Sequence, residues 1–107
     1  MDQAAVLEVV DKFRLALERD GVHVERIILF GSHAVGGASR ESDIDLVVIS
    51  RDFADMNLWA RIQVLSEAIC AVWSPIEAVA KTPREWDEED SLVVQFARQG
   101  KVIYQAA

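Results

Sequence analysis

The sequence predicts an α/β fold of the α+β type, in which helices flank a mixed β-sheet. Two long segments place apolar residues at helical spacing, and shorter runs rich in β-branched and aromatic residues alternate with them. Three of the connections between predicted strands are shorter than a parallel crossover helix requires, so the strands cannot all be parallel. With 107 residues the chain has the size of one domain, and we expect residues 1–107 to form a single domain.

Four segments are predicted to be helical. Residues 2–20 carry a periodic apolar stripe, and a glycine follows them as a stop signal. Residues 57–73 show the same periodicity and end at a Ser-Pro pair. The stripe of this second helix consists of Leu58, Ile62, Leu65, Ile69 and Val72. A capping box at residues 82–85 starts a short third helix, and residues 91–99 form the fourth.

The strands are predicted from four short runs of β-branched and aromatic residues. They are Val24 to Phe30, Ile44 to Ile49, Ile76 to Ala80 and Val102 to Tyr104. The second strand is almost continuously apolar after its polar start, which is typical of a central strand buried on both faces. We expect the last strand to lie at an edge of the sheet.

The charge balance restricts the partners of the chain. Eighteen acidic and eleven basic residues give a net charge of −7, which repels the phosphate backbone, so no direct binding of nucleic acid is expected. A small nucleotide that arrives with Mg²⁺ remains compatible, because the cation neutralises phosphate charge locally. The single cysteine, Cys70, excludes an internal disulfide, and we expect it to be buried in a helix.

The apolar residues of the chain argue against a membrane protein and for a protein partner. No run approaches the roughly 20 apolar residues of a spanning helix, and the N-terminus lacks the basic start of a signal peptide, so we expect a cytoplasmic protein. Hydrophobic residues make up 51% of a chain that is too short to bury them all. Some apolar surface is therefore available for a homo- or hetero-oligomer.

Gly31 and Ser32 follow the first predicted strand, where the chain turns into a helix. A glycine there lets the backbone approach a ligand closely, and the serine hydroxyl and the first amides of the helix suit a phosphate group. The alternative is an ordinary N-cap serine after a turn glycine, which needs no ligand.

Three carboxylates are candidates for a metal site. Asp43 and Asp45 are two residues apart at the start of the second strand, so their side chains project from one face, about 6–7 Å apart at the backbone. Such a pair repels itself, and its oxygen ligands suit Mg²⁺. Glu77, in the third strand, reaches the same face if the two strands are neighbours, and it is otherwise an exposed edge residue. A hydrated strand start remains the alternative for the aspartates.

The spacing of these residues resembles a known signature. Gly31-Ser32, ten intervening residues and Asp43-Ile44-Asp45 before an apolar strand are similar to the signature of the polymerase-beta-like nucleotidyltransferase superfamily. The wider pattern, from the first helix to the ending Ala97–Tyr104, resembles the minimal nucleotidyltransferase (MNT) proteins, including the MntA-type antitoxins of HEPN/MNT pairs. This resemblance implies a palm-like nucleotidyltransferase fold over nearly the whole chain.

The resemblance also implies roles for individual residues. Asp43 and Asp45 would bind two Mg²⁺ ions, with Glu77 as a further ligand or as the proton acceptor. Gly31 and Ser32 would hold the β- and γ-phosphates of a nucleoside triphosphate such as ATP.

Two positions depart from the pattern of the family. Many relatives carry arginine where this chain has Val35, and Arg40 is the nearest substitute. Many also carry aspartate where Glu77 stands, although some antibiotic-modifying relatives use glutamate there.

Two functions follow from the resemblance. The first is an adenylyltransferase antitoxin that moves AMP onto a tyrosine of a HEPN-type toxin. The second is a binding module that neutralises the same partner by contact alone, with a weak or inactive site. An antibiotic nucleotidyltransferase is a third possibility, which the small size disfavours. For a docking face the sequence offers Ala60, Val64 and Ala71, which lie opposite the core stripe of the second helix.

Overall fold

The computed structural model describes residues 2–36 and 43–107, which form a four-stranded sheet flanked by helices. The helices are α1 (Gln3–Arg19), α2 (Ser32–Val35), α3 (Leu58–Val72), α4 (Pro83–Glu88) and α5 (Leu92–Ala97). The strands are β1 (Arg26–Phe30), β2 (Ile44–Ile49), β3 (Ile76–Lys81) and β4 (Lys101–Gln105). A 3₁₀ helix, Arg51–Asp55, follows β2 and was not among the predicted elements.

The sheet is mixed, as the short connections predicted. Its strand order is β3-β2-β1-β4, so β3 and β4 are the edge strands. The central strand β1 pairs antiparallel with both β2 and β4, whereas β2 and β3 are parallel. The parallel pair is the one joined by a long connection, which contains α3, as the geometry of a parallel crossover requires.

Side chains cap the starts of α1, α3 and α4, and the cap of α4 is the predicted one. Asp2 accepts a hydrogen bond from the amide of Ala5 at 2.8 Å, and Asn57 caps α3 in the same way. Thr82 and Glu85 form the complete capping box at the start of α4. In the described part of the chain no helix combines the length and the apolar character that crossing a bilayer demands.

Each face of the sheet packs against its own helices. The first face carries alternate residues of β1, β2 and β3 and packs against α1 and α3. The second face carries the residues between them and packs against α4 and α5. The main buried residues of the first layer are Val10, Phe13, Leu17, Leu29, Leu46, Val48 and Leu65. Those of the second layer are Ile28, Val47, Ile49, Trp86, Val94 and Ala97.

The buried stripe of α3 differs from the predicted one in its first two turns. Leu65 is buried and Ile69 and Val72 pack against the core, but Leu58 and Ile62 are 68% and 44% exposed. The stripe instead reaches its N-terminal end through Arg61, whose side chain is only 15% exposed. Arginine does not count as apolar in a periodicity analysis, so the predicted stripe included the neighbouring Ile62 instead of Arg61.

The docking face predicted on α3 is correspondingly wrong at two of its three positions. Val64 packs against the core and Ala60 is partly buried, and only Ala71 is exposed. Cys70, which we expected to be buried, is also exposed. Leu65, Ile69 and Val72 keep the predicted orientation, so the difference in the stripe is confined to the N-terminal part of α3, where Arg61 and Val64 rather than Leu58 and Ile62 face the core.

Arg61 joins α3 to two other elements. Its Nε donates to the carbonyl oxygens of Phe53 and Met56 at 3.1 and 3.2 Å. Its Nη1 lies 2.7 Å from Oε1 of Glu85, which also accepts from the amide of Thr82 at 2.8 Å. Burial raises the pKa of Glu85, but these hydrogen bonds and the charge of Arg61 outweigh it and leave the pKa below its ordinary value. The ion pair therefore connects α3, the 3₁₀ helix and the capping box of α4.

Replacing Arg61 with methionine keeps an unbranched side chain but removes every one of these hydrogen bonds. We expect the free energy of unfolding to fall by about 2–3 kcal/mol, as for lost hydrogen bonds to a charged group. Arg84→Met is the matched control, because Arg84 pairs with Glu88 on the surface of α4 at 2.9 Å, where solvent screens the pair and leaves it little net effect on stability. Urea unfolding of both variants checks the difference, and equal losses would contradict the role of Arg61.

Candidate active site

One row of the sheet carries the acidic residues. Phe30 of β1, Asp45 of β2 and Glu77 of β3 are direct partners in the strand register. Because residues opposite each other in a sheet project from the same face, the Asp45 and Glu77 side chains stand side by side. The condition that we set for Glu77, that its strand neighbours the second one, is thus met.

The charges of these carboxylates act on one another. The negative charge of Asp43, which precedes β2 and is exposed, raises the pKa of Glu77 above its ordinary value. Hydrogen bonds to Asp45 and Asp43 act in the same direction. The negative charge around Glu77 therefore makes the loss of its proton harder than in an isolated glutamate.

Asp45 is the most enclosed of the three carboxylates. Burial raises its pKa, and the charge of Asp43 adds to this effect. The hydrogen bond from Glu77 and the charge of His33 oppose it, but the net shift is upward. The row is therefore short of positive charge, and either a proton or a cation relieves the repulsion.

Gly31 fixes the position of Asp45. Its φ of 74° and ψ of −155° belong to a region open almost only to glycine. A β-carbon at this position would collide with the Asp45 carboxylate, whose Oδ2 occupies that space. The glycine thus serves two needs, the sharp turn from β1 into α2 and the close approach of an acidic side chain.

Ser32 is the first residue of α2, and Gly31 is the N-cap. No side-chain hydrogen bond caps this helix, so the reading of Ser32 as an ordinary N-cap serine is wrong. The partly buried hydroxyl lies one residue from the glycine that touches Asp45. Arg40, the predicted substitute for a phosphate-binding arginine, lies outside the described residues.

The donor atoms of the row suit a hard divalent cation. Asp43, Asp45 and Glu77 offer only carboxylate oxygens, which are the ligands that Mg²⁺ prefers. A cation bound among them would relieve their repulsion. Within residues 2–36 and 43–107 no group of three acidic, histidine or cysteine side chains is already arranged around a metal position. The fit rests on the chemistry of the donors and their mutual repulsion.

An apolar cavity next to this row was not foreseen from the sequence. It has a volume of about 270 Å³ and lies between the start of α2 and the end of α5. Its walls include Gly31, Ser32, Val35, Phe96 and Gly100. Exposed apolar residues spaced four apart on α5 were the available signal, but such spacing usually indicates a core-facing stripe.

The sequence and the fold both match known nucleotidyltransferases. The family model described as the nucleotidyltransferase domain matches residues 10–97 of the chain. A putative nucleotidyltransferase from Sulfolobus solfataricus superimposes with a TM-score of 0.74 at 18% identity, covering 96% of this chain and 83% of that one. No curated protein matches the chain in sequence.

Two further solved structures are toxin–antitoxin complexes. A toxin–antitoxin complex with AMP-PNP has a chain similar to this one at 26% identity and a TM-score of 0.61, covering 88% of this chain and 72% of that one. The other is the tri-AMPylated Shewanella oneidensis HEPN toxin in complex with its MNT antitoxin. It matches with a TM-score of 0.56 at 23% identity, over 94% of this chain and 73% of that one. The fold is therefore that of nucleotidyltransferases and resembles the MNT antitoxins.

Gly31→Ala should destabilise the chain by about 1–3 kcal/mol from backbone strain alone, with the collision against Asp45 in addition. Gly21→Ala is the control, because Gly21 also has a positive φ of 94° but open space where the β-carbon would stand. Adding Asp45→Ala should recover about 1 kcal/mol or more in the Gly31 variant and nothing in the Gly21 variant. Additive losses in this double-mutant cycle, measured by chemical unfolding, would contradict the contact.

Glu77→Gln should raise the unfolding temperature at neutral pH. The pKa of Glu77 is higher in the folded state, so stability falls as the pH rises through that raised value, and the neutral amide escapes this loss. The gain should shrink at pH values below the ordinary range of glutamate, where the carboxyl group is protonated in both states.

Calorimetric melting between acidic and neutral pH checks this expectation. Glu8→Gln is the control, since Glu8 lies 3.5 Å from Lys12 on the exposed side of α1 and should give no such gain. Millimolar Mg²⁺ should narrow the gap between parent and Glu77→Gln by stabilising the parent more. A variant that melts at or below the parent temperature at neutral pH would disprove the repulsion.

Proposed function

The chain belongs to the nucleotidyltransferase domain family, and on that premise we propose that it transfers AMP from ATP to a hydroxyl group of a protein partner. The observation that supports this most is the row formed by Asp45 and Glu77, with Asp43 beside it and Gly31 beneath the Asp45 carboxylate. The charge of Asp43 raises the pKa of both Asp45 and Glu77, so the negative charge of the row is unfavourable, and a divalent cation is the group that such a site accepts.

Asp43, Asp45 and Glu77 are the residues proposed to hold the metal. Bound there, two Mg²⁺ ions would neutralise the triphosphate and lower the pKa of the attacking hydroxyl group. Asp45 is the central residue of the proposed site, because it lies between Gly31 on one side and Glu77 on the other. Its position decides where the α-phosphate lies relative to the acceptor.

Glu77 is proposed to accept the proton of the attacking hydroxyl as well. Its raised pKa brings it closer to the value at which a general base works near neutral pH. A glutamate side chain is one methylene longer than the aspartate found in many relatives, so it reaches further from the edge strand toward an acceptor. Its exposed position leaves room for an incoming side chain.

Gly31 and Ser32 are proposed to hold the β- and γ-phosphates, with Arg40 as an additional cation. The Ser32 hydroxyl is not engaged as a helix cap and is available to donate to a phosphate oxygen. The glycine lets phosphate and Asp45 approach the same stretch of backbone. This placement puts the leaving pyrophosphate on the α2 side of the row.

The proposed partner is a HEPN-type toxin, and the proposed acceptor is a tyrosine of that toxin in the cytoplasm. The support is the likeness to a toxin–antitoxin complex that holds AMP-PNP, together with the shared fold of an MNT antitoxin whose toxin carries AMP groups. The described elements leave the acidic row open rather than covered by a second lobe, so the partner's surface has to place its own hydroxyl group.

The decisive experiment is transfer to the protein encoded beside this chain, with a HEPN-type toxin as the expected partner. With ATP and Mg²⁺, the partner should gain the mass of AMP on a hydroxyl side chain, as measured by intact-mass spectrometry. Asp43→Asn and Asp45→Asn should each lower the rate by about 100-fold or more, since a metal ligand is lost. Glu77→Gln should cost at least about tenfold, as for a general base.

Glu67→Gln serves as the matched control for these variants. Glu67 is an exposed carboxylate on α3 that accepts only from Gln63 at 3.4 Å, and its loss should leave the rate unchanged. Partner binding should survive all of these substitutions. A partner that is inhibited but never gains mass would reject the transferase and identify a module that acts by binding alone.

A further inference from the structure

The exposed side of α5 and the end of α2 form an apolar ridge. We define the α5 ridge as Leu92 and Phe96, one turn apart on the helix, together with Val35 of α2. Their side chains are 77%, 67% and 82% exposed. Val93, on the same side of α5, is 40% exposed and extends the ridge. Large apolar side chains this exposed and this close together mark a surface that another molecule covers.

The ridge is continuous with the candidate active site. Phe96 and Val35 line the cavity of about 270 Å³, and the wall of that cavity includes Gly31 and Ser32. Gly31 in turn lies against the Asp45 carboxylate, whose Oδ2 occupies the position that a β-carbon at residue 31 would take. A protein that covers the ridge therefore also borders the cavity whose wall includes Gly31, the residue next to the Asp45 carboxylate.

The surroundings of the ridge are acidic. Asp87, in α4, and Asp90, in the turn before α5, are exposed. Two cations near them in the described part of the chain are engaged in ion pairs, since Arg84 pairs with Glu88 and Lys81 with Glu89 at 2.7 Å. Arg98 directs its guanidinium at the carbonyl oxygens of Trp86, Asp87 and Glu89.

On its other side the ridge approaches the three carboxylates Asp43, Asp45 and Glu77. The chain as a whole has a net charge of −7. The ridge is thus an apolar strip between two negative regions.

We propose that the α5 ridge is the surface on which the acceptor protein docks, and that this partner presents an apolar face flanked by basic side chains. The inference rests on the proposed function and adds to it where the partner sits. Basic side chains on the partner would meet Asp87 and Asp90, which speeds association and sets orientation. The apolar contact at Phe96 supplies most of the affinity, as buried aromatic residues do at protein interfaces.

A second apolar patch, on the N-terminal half of α3, is less suited to this role. Leu58, Trp59 and Ile62 are exposed there, and two of them line a separate cavity of about 530 Å³. That cavity has none of the candidate active-site residues in its walls. A partner held at α3 would have no direct path for its hydroxyl group to the carboxylate row.

The test compares matched aromatic truncations in the full chain, with the HEPN-type protein as the probe. Phe96→Ala should weaken partner binding about 10- to 100-fold, as for a central interface residue. Trp59→Ala removes an aromatic side chain that is 77% exposed on α3 and should change affinity by no more than about twofold. Calorimetric titration gives the affinities, and thermal melting verifies that both variants fold.

A second pair of measurements separates docking from catalysis and tests the charges. Leu92→Ala, outside the cavity, should lose affinity for the partner about tenfold while binding Mg²⁺–ATP as the parent does. Asp87→Asn combined with Asp90→Asn should weaken partner binding at low salt only. At 1 M salt, where the screening length is about 3 Å, that difference should vanish.

The outcomes are distinguishable from failure of the proposed function. If Phe96→Ala and Leu92→Ala bind the partner as tightly as the parent, and the parent still transfers AMP, the ridge proposal is overturned and the transferase stands. If Phe96→Ala only converts a dimer of this chain into monomers, the ridge is a self-interface and the proposal is overturned as well. A parent chain that does not bind the HEPN-type protein at all overturns both.

Discussion

The site depends on the lateral pairing of β2 with β3. This parallel register sets Asp45 opposite Glu77, so two carboxylates share one face of the sheet at strand spacing. The arrangement is unfavourable by itself, since the neighbouring charges raise the pKa of Glu77, and Gly31 leaves room for one of the two groups. The apolar layers on both faces hold the strands in register against this repulsion.

The secondary structure and much of the row were predictable because they rest on local signals. Capping residues, turn glycines and apolar periodicity fixed the helices and strands to within a few residues, and the spacing of Asp43 and Asp45 indicated one face of a strand. The meeting of Asp45 with Glu77 was conditional, since a sequence does not state which strands are neighbours. Strand order depends on packing between distant segments.

Three features were beyond such reasoning. The core-facing position of Arg61 at the start of α3 depends on carbonyl oxygens and Glu85, which accept its hydrogen bonds. The need for glycine at position 31 follows from a contact with a residue on another strand. The α5 ridge was hidden because exposed and buried apolar stripes look alike in a sequence. In each case the feature depends on how different segments of the chain pack together, which a local sequence pattern does not specify.

The crossover through α3 has a consequence for biogenesis. β2 and β3 are separated by the 3₁₀ helix and the whole of α3, so the acidic row is assembled only after this long connection has folded back. During synthesis from the N-terminus, β2 with Asp43 and Asp45 leaves the ribosome before β3, which carries Glu77. Assembly of the acidic row is thereby tied to the synthesis of β3, and a nascent chain that ends before β3 would lack it.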